Sequence, residues 1–181
     1  MSFSFKDDCL TVSLKVRSVE QIFDLRDPNP FREKDLDDDF ARYLVLAIRS
    51  HPTATLVHLD LLTPSTDKPQ FTATDLKNAI SEYFQFEVRS VSQEISSLLS
   101  EGRTSLILGT AFLITVELLA FALPSEGGII VGAFKHGLAI IGWVALWKPI
   151  NTFLYEWWPL AKKRKLLRIL ATARVQLLPP S

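Results

Sequence analysis

Three ionisable residues stand where an apolar chain can least accommodate them. Glu117 is the one charge in the nineteen residues from Ser105 to Leu123, SLILGTAFLITVELLAFAL. Lys135 is the one charge in the nineteen residues from Ile129 to Trp147, IIVGAFKHGLAIIGWVALW, and His136 follows it directly. In hydrocarbon such groups pair with one another, or they line a path for protons or ions. Counted from the facing ends of the two stretches, Glu117 and Lys135 lie equally deep, roughly 9 Å in at 1.5 Å rise per residue. That matching predicts a Glu117–Lys135 bridge, with Lys135 partly snorkelling outward. His136 points about 100° away from Lys135 around a helix and could donate to Glu117 of another subunit. A conducting path would need several copies and a polar stripe on each. Beyond Thr110, Thr115, Glu117, Lys135 and His136 that stripe is thin.

Other chemistry is sparse. His51, His58 and His136 show no metal-ligand spacing. No serine lies in a GxSxG context, and no glycine-rich phosphate loop follows a strand. His58 and Asp60 share one strand face, the best enzymatic remnant, though a structural hydrogen bond explains them more simply. Asp35, Asp37, Asp38 and Asp39 crowd the start of an expected helix. There they suit the free N–H groups and the helix dipole. With Glu33 they could instead hold a hard cation, but the glycine of a calcium loop is missing. No catalytic, cofactor-binding or metal residue is assigned, no cofactor is expected, and the chain does not read as an enzyme. Cys9 is the one cysteine, which excludes an intrachain disulfide or cysteine cluster and fits a reducing compartment.

The elements that must hold the intramembrane charges are two spans, about 105–123 and 129–147, joined by PSEGG. About 20 helical residues cross a bilayer core, so the pair reads as a transmembrane hairpin. A buried hairpin in a soluble protein is the alternative. The short loop carries only Glu126, whereas Arg103 precedes the first span and Lys148, Lys162, Lys163, Arg164, Lys165, Arg168 and Arg174 follow the second. Positive residues near membrane ends mark the cytoplasmic side, which predicts a multi-pass inner-membrane protein with both termini cytoplasmic. The overall charge balance hides a division: residues 1–101 hold seventeen acids and eleven bases, and residues 102–181 hold three acids and nine bases. The N-terminus lacks the apolar core of a secretory signal, so the first span is expected to direct insertion.

Beyond the second span, Pro149 is expected to stop or bend the helix. Trp147, Tyr155, Trp157 and Trp158 are aromatics of the kind found at headgroup depth. With Lys148, Lys162, Lys163, Arg164 and Lys165 they predict an interfacial anchor on anionic lipid. Its place at a membrane exit argues against a nucleic-acid patch.

The soluble part begins with CLTVSLKVR (9–17), alternating with period two as a half-buried strand does. A short helix from Ser18 would turn Val19, Ile22 and Phe23 inward. Pro28 and Pro30 interrupt the next stretch, where Phe31 reads as a plug. A helix is expected from near Asp35 or Asp37 to Arg49, then a second strand at 54–62, parallel to the first through a right-handed crossover. A helical run from Thr72 or Thr74 has Phe84, Val88, Val91, Ile95 and Leu98 as a heptad-like seam, packed on its own domain or pairing between subunits. Gly102 is expected to break it. Residues 172–178 are expected to return as a third strand.

At DPNPFREKDLD (27–37), at Gly102–Arg103 and at GWVALWKPINTFLYEWWPL (142–160), the chain resembles a family of uncharacterised small bacterial membrane proteins. The resemblance covers nearly the whole length. It implies one integrated domain and no particular activity. The expected class is thus an α+β membrane protein: a small cytoplasmic α/β domain (1–71), a long connecting helix (72–102), an inserted transmembrane hairpin (103–148), a basic interfacial segment (149–171) and a return strand (172–181). Such a chain would serve as a structural, adaptor or assembly subunit, self-associating or within a larger membrane complex. The alternatives are an oligomeric ion-conducting or membrane-disrupting effector and a membrane-associated enzyme.

Overall fold

The computed structural model describes residues 2–6, 8–16, 18–24, 36–51, 53–62, 72–124 and 128–178. Pro28, Pro30, Phe31, Glu33, Asp35, the 63–71 loop, Glu126, Pro179 and Pro180 lie outside them. The chain forms two compact units, residues 1–91 with 163–181 and residues 92–162.

The first unit is built on a four-stranded sheet in the order β1 (Ser2–Lys6), β2 (Cys9–Lys15), β3 (Leu56–Leu62), β4 (Arg174–Leu178). β1 and β2 are an antiparallel hairpin, while β3 runs parallel to β2 and β4 parallel to β3. The hairpin closes between paired Lys6 and Cys9, with Asp8 at a φ of 60°. Aspartate tolerates that left-handed conformation better than most residues. The Asp8 carbonyl accepts from the N–H of Thr55 at 2.9 Å, tying the turn to the start of β3.

Period-two alternation sends Leu10, Val12 and Leu14 of β2, and Val57, Leu59 and Leu61 of β3, to the same buried face, with Val175 of β4 beside them. The connections from β2 to β3 and from β3 to β4 step the same way across the sheet. If both are right-handed, as such crossovers nearly always are, their helices fall on one face. Burial agrees. Ala41, Leu44, Ala47 and Ile48 of α1 (Asp38–Arg49) are buried, as are Leu76, Ile80 and Phe84 of α2 (Ala73–Ala122) and Leu167 and Leu170 of α5 (Trp157–Ala171).

Local chemistry sets the helix starts. The Asp37 carboxylate accepts from the N–H groups of Asp39 and Phe40, each at 3.0 Å, so Asp37 caps α1. Thr72 and Asp75 cap α2 reciprocally: the Asp75 N–H donates to Thr72 Oγ1, and the Thr72 N–H to the Asp75 carboxylate. This is a capping box. Between β2 and α1, a 3-10 turn at Val19–Ile22 leads to Phe23, which pairs with Leu36 in an isolated antiparallel bridge.

α2 is one helix of 50 residues. The break expected at Gly102 is absent, and the residue instead sits where another part of the chain comes close. A Cβ there would meet Thr152 Cγ2 at 3.1 Å and the Phe153 ring at 3.3 Å. The glycine is a close-approach site, and an α-helix tolerates one at about 1 kcal/mol relative to alanine. The second unit contains the rest of α2, α3 (Gly128–Ala145), α4 (Trp147–Asn151), a π-helical turn at Thr152–Glu156 and the start of α5.

Candidate intramembrane site

α2 and α3 pack antiparallel along a glycine-marked seam. A Cβ on Gly142 would stand 2.6 Å from Leu113 Cδ1. One on Gly109 would stand 3.0 Å from the Ala145 carbonyl oxygen and 3.1 Å from Leu146. Gly102 continues the series against Thr152 and Phe153. Gly132 and Gly137, on the same helix as Gly142, have nothing within 4 Å of an added Cβ.

This register corrects the depth matching of the charges. It levels Lys135 with Ala120, about three residues, or roughly 4.5 Å, from Glu117 along the axis. Among the described residues no ion pair joins the two. The Lys135 ammonium instead donates to the Leu123 carbonyl at 3.0 Å. That oxygen lies just past the end of α2, among carbonyls that lack intrahelical partners and carry the negative end of the dipole. A long, flexible stem lets lysine reach it along the seam, so Lys135 tethers the two helix ends. Glu117 and His136 are exposed on the surface of the hairpin.

The hairpin surface is apolar elsewhere. Ile107, Phe121, Ile129 and Ile130 are 70%, 89%, 92% and 85% exposed. Only 11% and 6% of the most apolar stretches of the two long helices are buried within the chain. Core helices of a soluble protein would be mostly covered. No known family, curated protein or solved structure matches this chain. Its class therefore rests on physical grounds: a membrane-associated protein with a compact non-membrane domain.

Beyond α3 the helix restarts rather than ends. Leu146 makes a turn, and α4 takes Pro149 into its first turn, where a missing N–H costs least. The π-helical turn is braced by Glu156, whose two carboxylate oxygens accept from Asn151 Nδ2 at 2.7 Å and from the buried Thr152 hydroxyl at 2.8 Å. Trp157 Nε1 donates to the Phe153 carbonyl at 2.8 Å. Trp157 and Trp158 meet edge to face, and Lys162 stands 5.8 Å from the centre of the Trp158 ring. Trp147, Lys148, Tyr155 and Trp158 are exposed, as are Lys162, Lys163 and Lys165, with Arg164 half-buried.

In the sheet, His58 and Asp60 face away from the core. Pairing sets Thr11, His58 and Arg174 in one cross-strand row and Ser13, Asp60 and Gln176 in the next. On this face Thr11, Ser13, His58 and Asp60 are half-buried, and Arg174 and Gln176 are exposed. Arg174 and Gln176 could join it only once β4 was placed beside β3. His51 is elsewhere, stacked on Phe5 at 5.6 Å, with Nδ1 3.0 Å from the Ala47 carbonyl.

Proposed function

We propose that this protein is a membrane-anchored structural, adaptor or assembly subunit that presents its small α/β domain on the cytoplasmic side. The observation that carries the reading is the pairing of β4 with β3 across the inserted hairpin. A sheet made from chain on both sides of a two-helix insertion needs both hairpin ends on one side of the membrane. The basic residues Lys148, Lys162, Lys163, Arg164 and Lys165 favour the cytoplasmic side and anionic lipid. The role is read as non-enzymatic: His58 and Asp60, half-buried, and Arg174, exposed, share one face of the sheet, an arrangement that suits docking. A photo-crosslinking residue at Thr11 or Gln176, in membranes of the native host, is expected to join the domain to one defined partner protein. A domain crosslinked to nothing would overturn the adaptor role, and release of the chain by alkaline carbonate would overturn the anchor.

An oligomeric conducting effector is the second reading, favoured by the exposed Glu117 and His136. It predicts a proton or cation leak through vesicles containing the protein, and tight vesicles would exclude it.

A further inference from the structure

The seam gives each hairpin helix a reference direction. At about 100° per residue, Glu117 lies roughly 70° past the centre of the α2 seam and His136 roughly 130° past that of α3. The helices are antiparallel, so both rotations lead to the same side of the hairpin. In the observed register Glu117 levels with Leu138 and His136 with Leu119, a depth difference of about two residues or roughly 3 Å. Thr110 lies on this flank, one heptad from Glu117. So does Gly132, which faces open space. The opposite flank presents Leu108, Phe112, Leu119, Phe134 and Ile141, all exposed. There the Thr115 hydroxyl donates to the Ala111 carbonyl at 2.9 Å. Glu117 and His136 make no such bond among the described residues.

Lipid tails cover the apolar flank without loss but offer an ionisable group no hydrogen bond. We propose that a second copy of this chain docks on the flank carrying Glu117 and His136, with Glu117 of each copy facing His136 of the other. The proposal rests on reading 105–123 and 129–147 as membrane spans. Two-fold dimers are the commonest homo-oligomers. A two-fold axis along the membrane normal preserves depth and sets α2 of one copy against α3 of the other, so both contacts form together. Whichever group holds the proton, one is a donor and the other an acceptor. Gly132 lets the backbones approach. Leu106 lies between the seam and this flank, pointing toward the axis, and Ser105 lies correspondingly on the other side.

The test uses the full chain in phosphatidylcholine–phosphatidylglycerol vesicles, with subunit number counted by stepwise photobleaching and helix content followed by circular dichroism. Wild type is expected to be dimeric. E117L and H136L should each weaken association about tenfold, since two symmetry-related contacts are lost at once. The exchange E117H with H136E should restore it. In a C9S background, L106C should crosslink to itself on oxidation and S105C should not. The cysteine pair leaves both ionisable groups in place, so it reports even if a charge variant misfolds. A monomeric wild type, single variants that associate like wild type, a well-folded exchange variant that stays weak, or S105C crosslinking as readily as L106C would each overturn the proposal. A chain that does not enter the vesicles would overturn the anchor itself, whereas a monomer embedded in them overturns only the dimer.

Discussion

Gly142 rests on Leu113 so closely that a Cβ there would come within 2.6 Å of Leu113 Cδ1. That contact, with those at Gly109 and Gly102, sets the register of α2 on α3. The register in turn decides which polar groups share a depth and a side. Lys135 is thereby taken into the seam, and Glu117 and His136 are left facing outward.

Gly109 and Gly142, one in each span, should differ in sensitivity. At Gly109 the obstacle is backbone, the Ala145 carbonyl oxygen at 3.0 Å, which cannot swing aside. At Gly142 it is the end of a leucine side chain. Gly109→Ala is expected to lower hairpin stability by about 1–3 kcal/mol, as overpacking does. Gly142→Ala should cost less and be relieved by Leu113→Ala. Unfolding followed in mild detergent checks both, and equal losses at the two sites would contradict the register.

Lys135 should act through Leu123 and not through Glu117. Lys135→Leu removes a charged donor from the Leu123 carbonyl, and a loss of about 1–2 kcal/mol is expected. Combined with Glu117→Gln, the two effects should add to within about 0.5 kcal/mol, as they do for residues that share no partner. A coupling energy well above that would restore the direct bridge.

Much of this was legible in residue patterns, and the failures have definite causes. CLTVSLK and LVHLDLL announce strands because their apolar residues alternate over the face that is buried. β1 alternates too, as SFSFK, yet it is short, and its Phe5 is 43% exposed. Only its pairing with β2 makes it a strand. Asp37 was readable as a cap because carboxylates bind free N–H groups wherever helices start. The register of the hairpin was not readable, because depth was counted from where the apolar runs stop. The packing is set instead by which residues lack a Cβ, and nothing in the pattern ranks Gly109 above Gly137. The flank shared by Glu117 and His136 follows from that register, so it too needed the structure.

Asp37 offers a local check on the soluble domain. Its side chain satisfies two N–H groups of α1 at 3.0 Å. Asp37→Ala should lower domain stability by about 0.5–2 kcal/mol, and Asp37→Ser should recover most of it. Denaturant unfolding of the full chain, followed by hydrogen exchange of α1, reads the change. An unchanged alanine variant would mean that the acidic run does not set the helix start.

The last prediction concerns topology. β4 pairs with β3 from His58↔Arg174 to Leu62↔Leu178, and Val175 is buried in the domain. Chain before and after the hairpin therefore shares one sheet, which cannot form if a membrane separates its strands. Cys9, or a lone cysteine placed at Gln176 in a C9S background, should react with an impermeant thiol reagent only from the cytoplasmic side of sealed vesicles. E126C should react only from the other side. Removing residues 174–181 should expose the Leu59 edge of the sheet and speed hydrogen exchange in β3, while leaving the hairpin in the membrane. Labelling of Cys9 and position 176 from opposite sides would break the shared sheet. Unchanged exchange in β3 after the truncation would show that β4 does not support it.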